Sequence, residues 1–488
     1  MSNIRVRYPP SPTGEPHVGN IRTALFNWLF AKGNDGEFIL RIEDTDRNRL
    51  VEGAMESQYE ALKWLGIDWD EGPDIGGKYA PYTQSERLGI YKDTAYKLIE
   101  NGYAYKCYCS QERLIQMREL YQKNQSIIGY DRNCRNIDSL TTDQYKNKKT
   151  PYVVRFKTLL EGKIQFNDLI RGNVVFDNTL LDDFIILKSD GFPTYHLANV
   201  VDDYLMKITH VMRAEEWLSS APKHIHIYNS MKWALPKFAH LPIILAPDKS
   251  KLSKRHGATS ILEYRKLGYL SNAMVNFLAK LGWSLDDKTE KLEVSELISN
   301  FSLEKVGKSG SVFNIDKLNW LNGVYIRELS VNQLTSELLC YWELFPSQEL
   351  PKNIDFKLIK RIVPLISERI KTLKEAAPLI SFFFLDIVKY EKKKVIQKGL
   401  DISDVNMILE KLYTKVLLID DFKSSDIESN LRSFVGGIDY KAGQVFGILR
   451  VILTGQDVAP PLFESMEILG KEHCLSVILK ARENIKDT

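Results

Sequence analysis

The feature that most restricts the fold is a strand, turn, helix, strand order at the N-terminus. IRVRY, from Ile4 to Tyr8, alternates as a strand does, and PPSPTGEP then breaks the pattern. A helix follows with Ile21, Ala24, Leu25, Trp28 and Leu29 on one face, and EFILRI, from Glu37 to Ile42, reads as a second strand. Two strands joined through a helix pair in parallel by a right-handed crossover, which is how nucleotide-binding α/β domains begin. Ligands of such domains gather where the strands end.

The rest of the chain, 488 residues in all, is too long for one core. From about Cys107 to Asp190 it carries grouped cysteines, a polar stretch at 141–149 and strand-like runs YVVRFK and NVVFD, the texture of an insertion. FIILKSDGFPTYHLANVVDD and KITHVMRAEEWL then suggest a return to the first sheet. Beyond Tyr325 strand signals fade, and patterns such as NMILEKLYTKVLLI predict helices to the end. The expected fold is α/β: a Rossmann-like parallel-sheet domain in two halves, 1–106 and 191–256, interrupted by an inserted α/β domain at 107–190. Helical domains at 257–325 and 326–488 follow.

Composition excludes little else. A hydrophobic fraction of 44% and a charged fraction of 26% suit an ordinary globular protein, and a net charge of +3 means that any RNA surface must be a local patch. MSNIRVRYPPSPTGEP lacks an apolar signal core and no apolar run is long enough to cross a bilayer, so a cytoplasmic protein without a membrane partner is expected. Cys107, Cys109 and Cys134 are grouped while Cys340 and Cys474 stand apart, unlike a secreted disulfide framework. Three thiols so close together can hold Zn²⁺ if a fourth ligand exists, and otherwise pack as reduced cysteines in a small core. The lysines at 392–394 are read as a solvated helix face.

Two segments suit ATP. PSPTGEPHVGN places His17 and Gly19 beside a helix N-terminus, whose free N–H groups favour phosphate, and Gly19 lets a nucleotide approach the backbone. PDKSKLSKRHG crowds Lys251, Lys254 and Arg255 into a polar loop that could close over ATP and place Lys254 at the leaving pyrophosphate. Alone, the first is a capped turn and the second an exposed basic loop; in this order, around an interrupted α/β domain, they point to adenylation chemistry.

At these residues the chain resembles the class I aminoacyl-tRNA synthetases. Their H-x-G-H motif corresponds to His17-Val18-Gly19-Asn20 and their K-M-S-K-S loop to Lys251-Leu252-Ser253-Lys254-Arg255, with Asn20 and Arg255 as departures. RVRYPPSPTG, RIEDTD, YHLANVVDD and RAEEW, in that order, resemble the bacterial glutamyl-tRNA synthetase family over essentially the whole chain. The resemblance implies catalytic roles for His17, Gly19, Lys251 and Lys254. It implies glutamate binding by Arg7, Ser11, Glu43, Tyr195, Asn199 and Arg213, and ATP binding by His17, Gly19, Asn20, Glu216, Leu245 and Lys254. Glutamate has two carboxylates and one ammonium, so Arg7, Arg213 and Glu43 complement its charges.

The resemblance also implies Mg²⁺-bound ATP, tRNA(Glu) as acceptor, and a monomer; whether tRNA(Gln) is charged too stays open at this level. Arg49 and Arg369 are the expected tRNA contacts, with the insertion receiving the acceptor end, 257–325 the stem and 326–488 the anticodon. Family members follow C-x-C with C-x-H, but Asn136 stands at the histidine position. Tyr130 resembles the zinc tyrosine of a truncated paralogue, so Cys107, Cys109, Tyr130 and Cys134 are the expected structural zinc ligands. The rival readings are a short tRNA-modifying paralogue, disfavoured by the residues beyond Tyr325, and a catalytically silent RNA-binding protein.

Overall fold

The structure is a computed structural model that describes residues 4–123, 129–257 and 259–486, without the side chains of Ser139, Lys254 and Lys486. The chain forms two compact units, Met1–Glu263 with Met274–Ile315, and Tyr264–Ala273 with Asp316–Thr488. Among the described residues no helix is long and apolar enough to cross a membrane.

In the first unit β1 (Arg5–Tyr8) and β2 (Glu37–Leu40) pair in parallel, with Arg5 opposite Glu37 and Tyr8 opposite Leu40. Helix α1 (Val18–Lys32) makes the connection. It is buried on nearly every side, not only along the predicted stripe, because Arg22 and Asn27 also lie inside. Most of their polar groups are satisfied there: Arg22 donates to the carbonyls of Leu281 and Pro242, and Asn27 to those of Thr23 and Met212, while Arg22 Nε and Asn27 Oδ1 are buried without a partner.

The span after α1 distributes its strands between two sheets. β3 (Ala104–Cys107), β4 (Val153–Phe156) and β7 (Ile185–Leu187) form an antiparallel sheet in the order β3-β4-β7. β5 (Lys163–Asp168) and β6 (Gly172–Asp177) form a hairpin, and Asp168 pairs in parallel with Phe238 of β9 (Lys237–Leu241). β8 (His210–Ala214) runs parallel to β9, giving the order β6-β5-β9-β8. The Thr209 N–H donates to the Arg5 carbonyl at 2.9 Å, which sets β8 beside β1.

KITHVMRAEEWL therefore returns to the parallel core as expected, whereas FIIL does not; it joins the antiparallel sheet, and YHLANVVDD is helical within Tyr195–Leu205. The apolar run LANVV is too short for period to decide between strand and helix. Seven of the eleven residues of that helix, including Asn199, Asp202 and Asp203, are buried. A two-stranded parallel pair, β10 (Ile244–Leu245) with β11 (Ser311–Val312), completes the unit.

The second unit contains no strand among its described residues. Some of its helices start at side-chain caps: Ser330 and Gln333 form a capping box, as do Asp401 and Asp404. The helix Ala442–Thr454 ends on Gly455 at φ 72°, where a Cβ would stand 2.7 Å from Val388 and 2.9 Å from the Lys389 carbonyl. Val405, Ile408, Leu412, Ile448, Ile452, Met466 and Ile478 pack into one apolar core drawn from four helices. Ile448→Ala should cost about 2–5 kcal/mol, read as an earlier unfolding transition of the helical unit in urea; an unchanged transition would mean that this contact core does not hold the unit together.

Candidate active site

The strand ends of β1, β2 and β8 deliver charged side chains into the interior. Arg7 on β1 is 1% exposed and grips Asp203 with Nε at 3.0 Å and Nη2 at 3.2 Å. Arg41, just after β2, is fully buried and donates to Asp203 at 2.7 Å and Glu43 at 2.9 Å. Arg87 donates to Asp202 at 2.8 Å, and Gln84 and Tyr91 also hold that carboxylate. Asp202 and Asp203 stand near the end of the helix Tyr195–Leu205, so one helix aims two anions at three arginines. Three guanidinium groups thus meet three carboxylates, Glu43, Asp202 and Asp203, and the cluster is formally neutral.

This arrangement corrects one part of the sequence argument: Arg7 is not a free cation, because Asp203 already pairs with it. The uncompensated charge belongs to Arg213, 5% exposed on β8. Its Nε donates to His240 Nε2 at 3.1 Å, and its Nη1 faces the Tyr195 hydroxyl and His224 Nδ1, each at 3.2 Å. Asp168 bonds His240 Nδ1 at 2.6 Å, leaving Nε2 to accept from Arg213. Burial lowers the His240 pKa against the opposing pull of Asp168, and burial with the Arg213 charge drives that of His224 well down, so both rings stay neutral. Among the described residues Arg213 forms no ion pair, so its charge is not compensated within the site.

A cavity of about 560 Å³ opens on these groups. Arg7, Ser11, Asn20, Glu43, Tyr195 and Arg213 line it, with the Trp217 ring tilted against Tyr195 at 4.3 Å between centroids. Arg7 Nη1 and Arg213 Nη2 are both buried without a partner. The side-chain hydrogen bonds to Glu43 from described residues, from Arg41, Gln84 and Asn199, all fall on Oε1 and none on Oε2. Burial raises the Glu43 pKa, opposed by Arg41 and then Arg7. Asn199 is not part of the lining; it stands behind Glu43 and orients it at 3.2 Å.

The two ATP segments meet in space. His17 is the N-cap of α1, its Nδ1 accepting from the Gly19 N–H at 3.1 Å. The strand after the basic loop pairs with this turn, Val18 N–H to the Thr259 carbonyl at 2.9 Å and Ile261 N–H to that of Pro16 at 3.0 Å. Lys251 is exposed and ion-paired to Glu216 at 2.5 Å, and its backbone bridges to Leu245. Arg255 turns inward on its own loop, donating to His256 and Ser250. The Lys254 side chain lies outside the described residues. Arg49 is exposed at the cavity mouth, ion-paired loosely to Asp46 at 3.9 Å, and Arg369 is exposed after the helix Phe356–Ile366.

In the first unit Cys107, Cys109 and Cys134 bring their sulfurs within 4.8 Å of one another. The Tyr130 hydroxyl sits among them, 3.2 Å from Cys107 and 3.4 Å from Cys109, and Cys109 lies 3.5 Å from Cys134. A tetrahedral zinc with its usual bond lengths spaces sulfurs about 3.8 Å apart and places an oxygen about 3.5 Å from them. The donor set therefore fits S₃O coordination. Asn136 is exposed and forms no part of the cluster. Arg113 and Asn133 direct N–H groups at Cys109, the kind of support that thiolates need.

Sequence reasoning missed the cluster's inner members. Asp202 and Asp203 were visible as paired acids closing an apolar run, and Arg41 as a charge inside a strand-like run. Asp168 and His240 gave no signal, since their partnership depends on β5 pairing with β9.

A family model for tRNA synthetases class I (E and Q), catalytic domain, matches residues 3–320, and one for an anticodon binding domain matches residues 333–482. Catalytic domain and helical anticodon domain together define a class I aminoacyl-tRNA synthetase. A glutamate–tRNA ligase of Dehalococcoides mccartyi is 51% identical over 482 residues, 99% of this chain and 98% of that protein. One of Moorella thermoacetica is 42% identical, covering 100% of this chain and 99% of its own length. A crystal structure of a glutamate tRNA ligase from Elizabethkingia meningosepticum in complex with its amino acid superposes with a TM-score of 0.89 at 36% identity, over 99% of this chain and 100% of that one. The chain belongs to the glutamate–tRNA ligase family of class I tRNA synthetases.

Burial raises the Asp203 pKa, but Arg7 and Arg41 outweigh it and hold the carboxyl below its usual 3.8. Its contribution to stability is therefore present above an unfolded value of about 3.9 and lost as pH falls through the depressed folded value. Asp203→Asn should cost about 3–5 kcal/mol at pH 7, and the gap to the parent should narrow by pH 3 in urea unfolding. A gap independent of pH would remove the ion pairs as its cause.

Proposed function

We propose that the chain ligates L-glutamate to tRNA(Glu) in two steps. A glutamate α-carboxylate oxygen attacks the α-phosphorus of ATP, the bond to the β-phosphate breaks, and pyrophosphate leaves. A ribose hydroxyl of the tRNA's terminal adenosine then attacks the glutamyl carbonyl, the ester forms and AMP departs. No protein nucleophile takes part. The observation that carries this reading is the pair of unpartnered guanidinium nitrogens, Arg7 Nη1 and Arg213 Nη2, lining one cavity with Glu43. Two carboxylates satisfy the two arginines, and an ammonium meets Glu43 Oε2. The cavity's single surplus positive charge matches the net charge of glutamate, whereas glutamine would leave it unmatched in a buried place.

His17, Gly19, Asn20, Glu216, Leu245 and Lys251 are proposed for ATP, with Lys254 stabilising the departing pyrophosphate. Mg²⁺ would come with the nucleotide, whose phosphates supply most of its ligands. Cys107, Cys109, Cys134 and Tyr130 would hold a structural Zn²⁺, which lends rigidity to this segment and no step to the reaction. We assign residues 107–190 to the acceptor end, with Arg49 beside it, 257–325 to the stem, and 326–488 with Arg369 to the anticodon. We read the chain as a monomer, because the charge set lies within one chain, and as a cytoplasmic enzyme on the strength of its family.

Labelled glutamate and labelled glutamine offered with purified tRNA(Glu) and tRNA(Gln) test the reading directly. Glutamate should be esterified to tRNA(Glu), and the tRNA(Gln) arm decides whether that acceptor is used as well; preferred loading of glutamine would overturn the charge argument. Arg213→Ala should raise the KM for glutamate about 100-fold, the equivalent of a lost charged hydrogen bond in a buried site, with the KM for ATP little moved. Protein purified without chelator should contain one zinc per chain by elemental analysis and Cys134→Ser should lose it; a metal-free parent would leave three reduced thiols.

A further inference from the structure

A buried arginine ordinarily sits against a carboxylate, and Arg7 in this same cavity does so with Asp203. Arg213 does not. Its partners among the described residues, Tyr195, His224 and His240, are all uncharged, and the carboxylate that could have met it, Asp168, stands one imidazole further back. Three adjacent strands produce this spacing. Arg213 on β8 and His240 on β9 are register partners, while Asp168 at the end of β5 is the partner of Phe238, two residues before His240. Register partners, and residues two apart on one strand, share a face of the sheet, so Arg213, His240 and Asp168 form a row across it.

Every bond in the row fixes the next. Asp168 Oδ1 accepts from the N–H groups of Ile170 at 3.0 Å and Arg171 at 2.9 Å, and Oδ2 holds the His240 N–H at 3.1 Å and its Nδ1 at 2.6 Å. Burial resists ionisation of Asp168, but the bonds from His240 and the backbone outweigh it and keep the carboxyl below its usual range. An ionised carboxylate can only accept, so His240 carries its proton on Nδ1 and presents Nε2 to Arg213 Nε. Asp168 is 1% exposed and His240 0%, so water cannot replace either partner.

We propose that His240 and Asp168 are positioning residues that set the amino-acid selectivity of the cavity. The imidazole holds the Arg213 guanidinium with a neutral acceptor and keeps the Asp168 carboxylate out of contact with it. Neither residue lines the cavity; both act through Arg213. The proposal rests on the ligase reading, in which Arg213 faces glutamate. A carboxylate in direct contact would fix the guanidinium as firmly but would cancel its charge, and an anionic side chain would then lose its advantage over a neutral amide.

The test follows charging of tRNA(Glu) by the full chain and reads the KM for glutamate, the KM for ATP and the inhibition constant of glutamine as competitor, with folding checked by urea unfolding. Combining Asp168→Asn with His240→Glu leaves the formal charge unchanged and moves the carboxylate onto Arg213. The KM for glutamate should rise about 100-fold, with the glutamine and ATP constants little moved. Asp168→Asn alone is isosteric and carries the test if the double variant fails to fold. Its amide donates to Nδ1 and shifts the ring proton to Nε2, against the Arg213 N–H, so the KM for glutamate should rise about tenfold. His240→Gln retains a neutral acceptor and should retain the preference for glutamate. Parallel weakening of glutamate, glutamine and ATP would reduce the pair to a structural role and overturn the assignment. A wild-type chain that loads no glutamate would sink the ligase reading and this one with it, whereas a wild-type preference that every variant keeps would count against this one alone.

Discussion

The buried exchange of charge among Arg7, Arg41, Arg87, Glu43, Asp202 and Asp203 underlies the rest of the architecture. Taking six ionised groups out of water is costly, and such clusters seldom stabilise a fold beyond what apolar packing would provide. Their value lies in position. Each carboxylate binds more than one arginine or amide, so no member can rotate without breaking several charged hydrogen bonds. β1, the segment after β2 and the helix Tyr195–Leu205 are thereby fastened at the edge of the cavity, before any substrate arrives. A binding site arranged in advance loses less free energy to ordering when its ligand binds.

How legible this was in the sequence depended on the range of each interaction. The opening strand, turn and helix were readable because period and Pro/Gly punctuation act over a few residues. The helical C-terminal region was readable for the same reason, from amphipathic patterns such as NMILEKLYTKVLLI. FIIL, by contrast, looked like any apolar strand, and nothing local says whether it pairs with β4 or with the parallel core. The same holds for NVVFD, placed beside β9 through β5. Arg7 and Arg213 looked equivalent in sequence; only the fold reveals that Asp203 neutralises one and that neutral histidines support the other.

The cysteine segment illustrates a complementary case. Spacing suggested a metal site, while Asn136 removed the ligand that spacing favours. The fold supplies the Tyr130 hydroxyl among the three sulfurs, at separations that a tetrahedral ion would accept. Because Tyr108 is threaded between two of those cysteines, the rigidity of the cluster passes directly to the rings of Tyr145 and Tyr152 packed against it.

One consequence follows from the cap of α1. A neutral imidazole bonded at Nδ1 by an incoming amide proton must carry its own proton on Nε2, so the Gly19 N–H selects a single tautomer of His17. The ring proton is thereby fixed at one known atom, and no migration within the ring has to precede a bond donated from it.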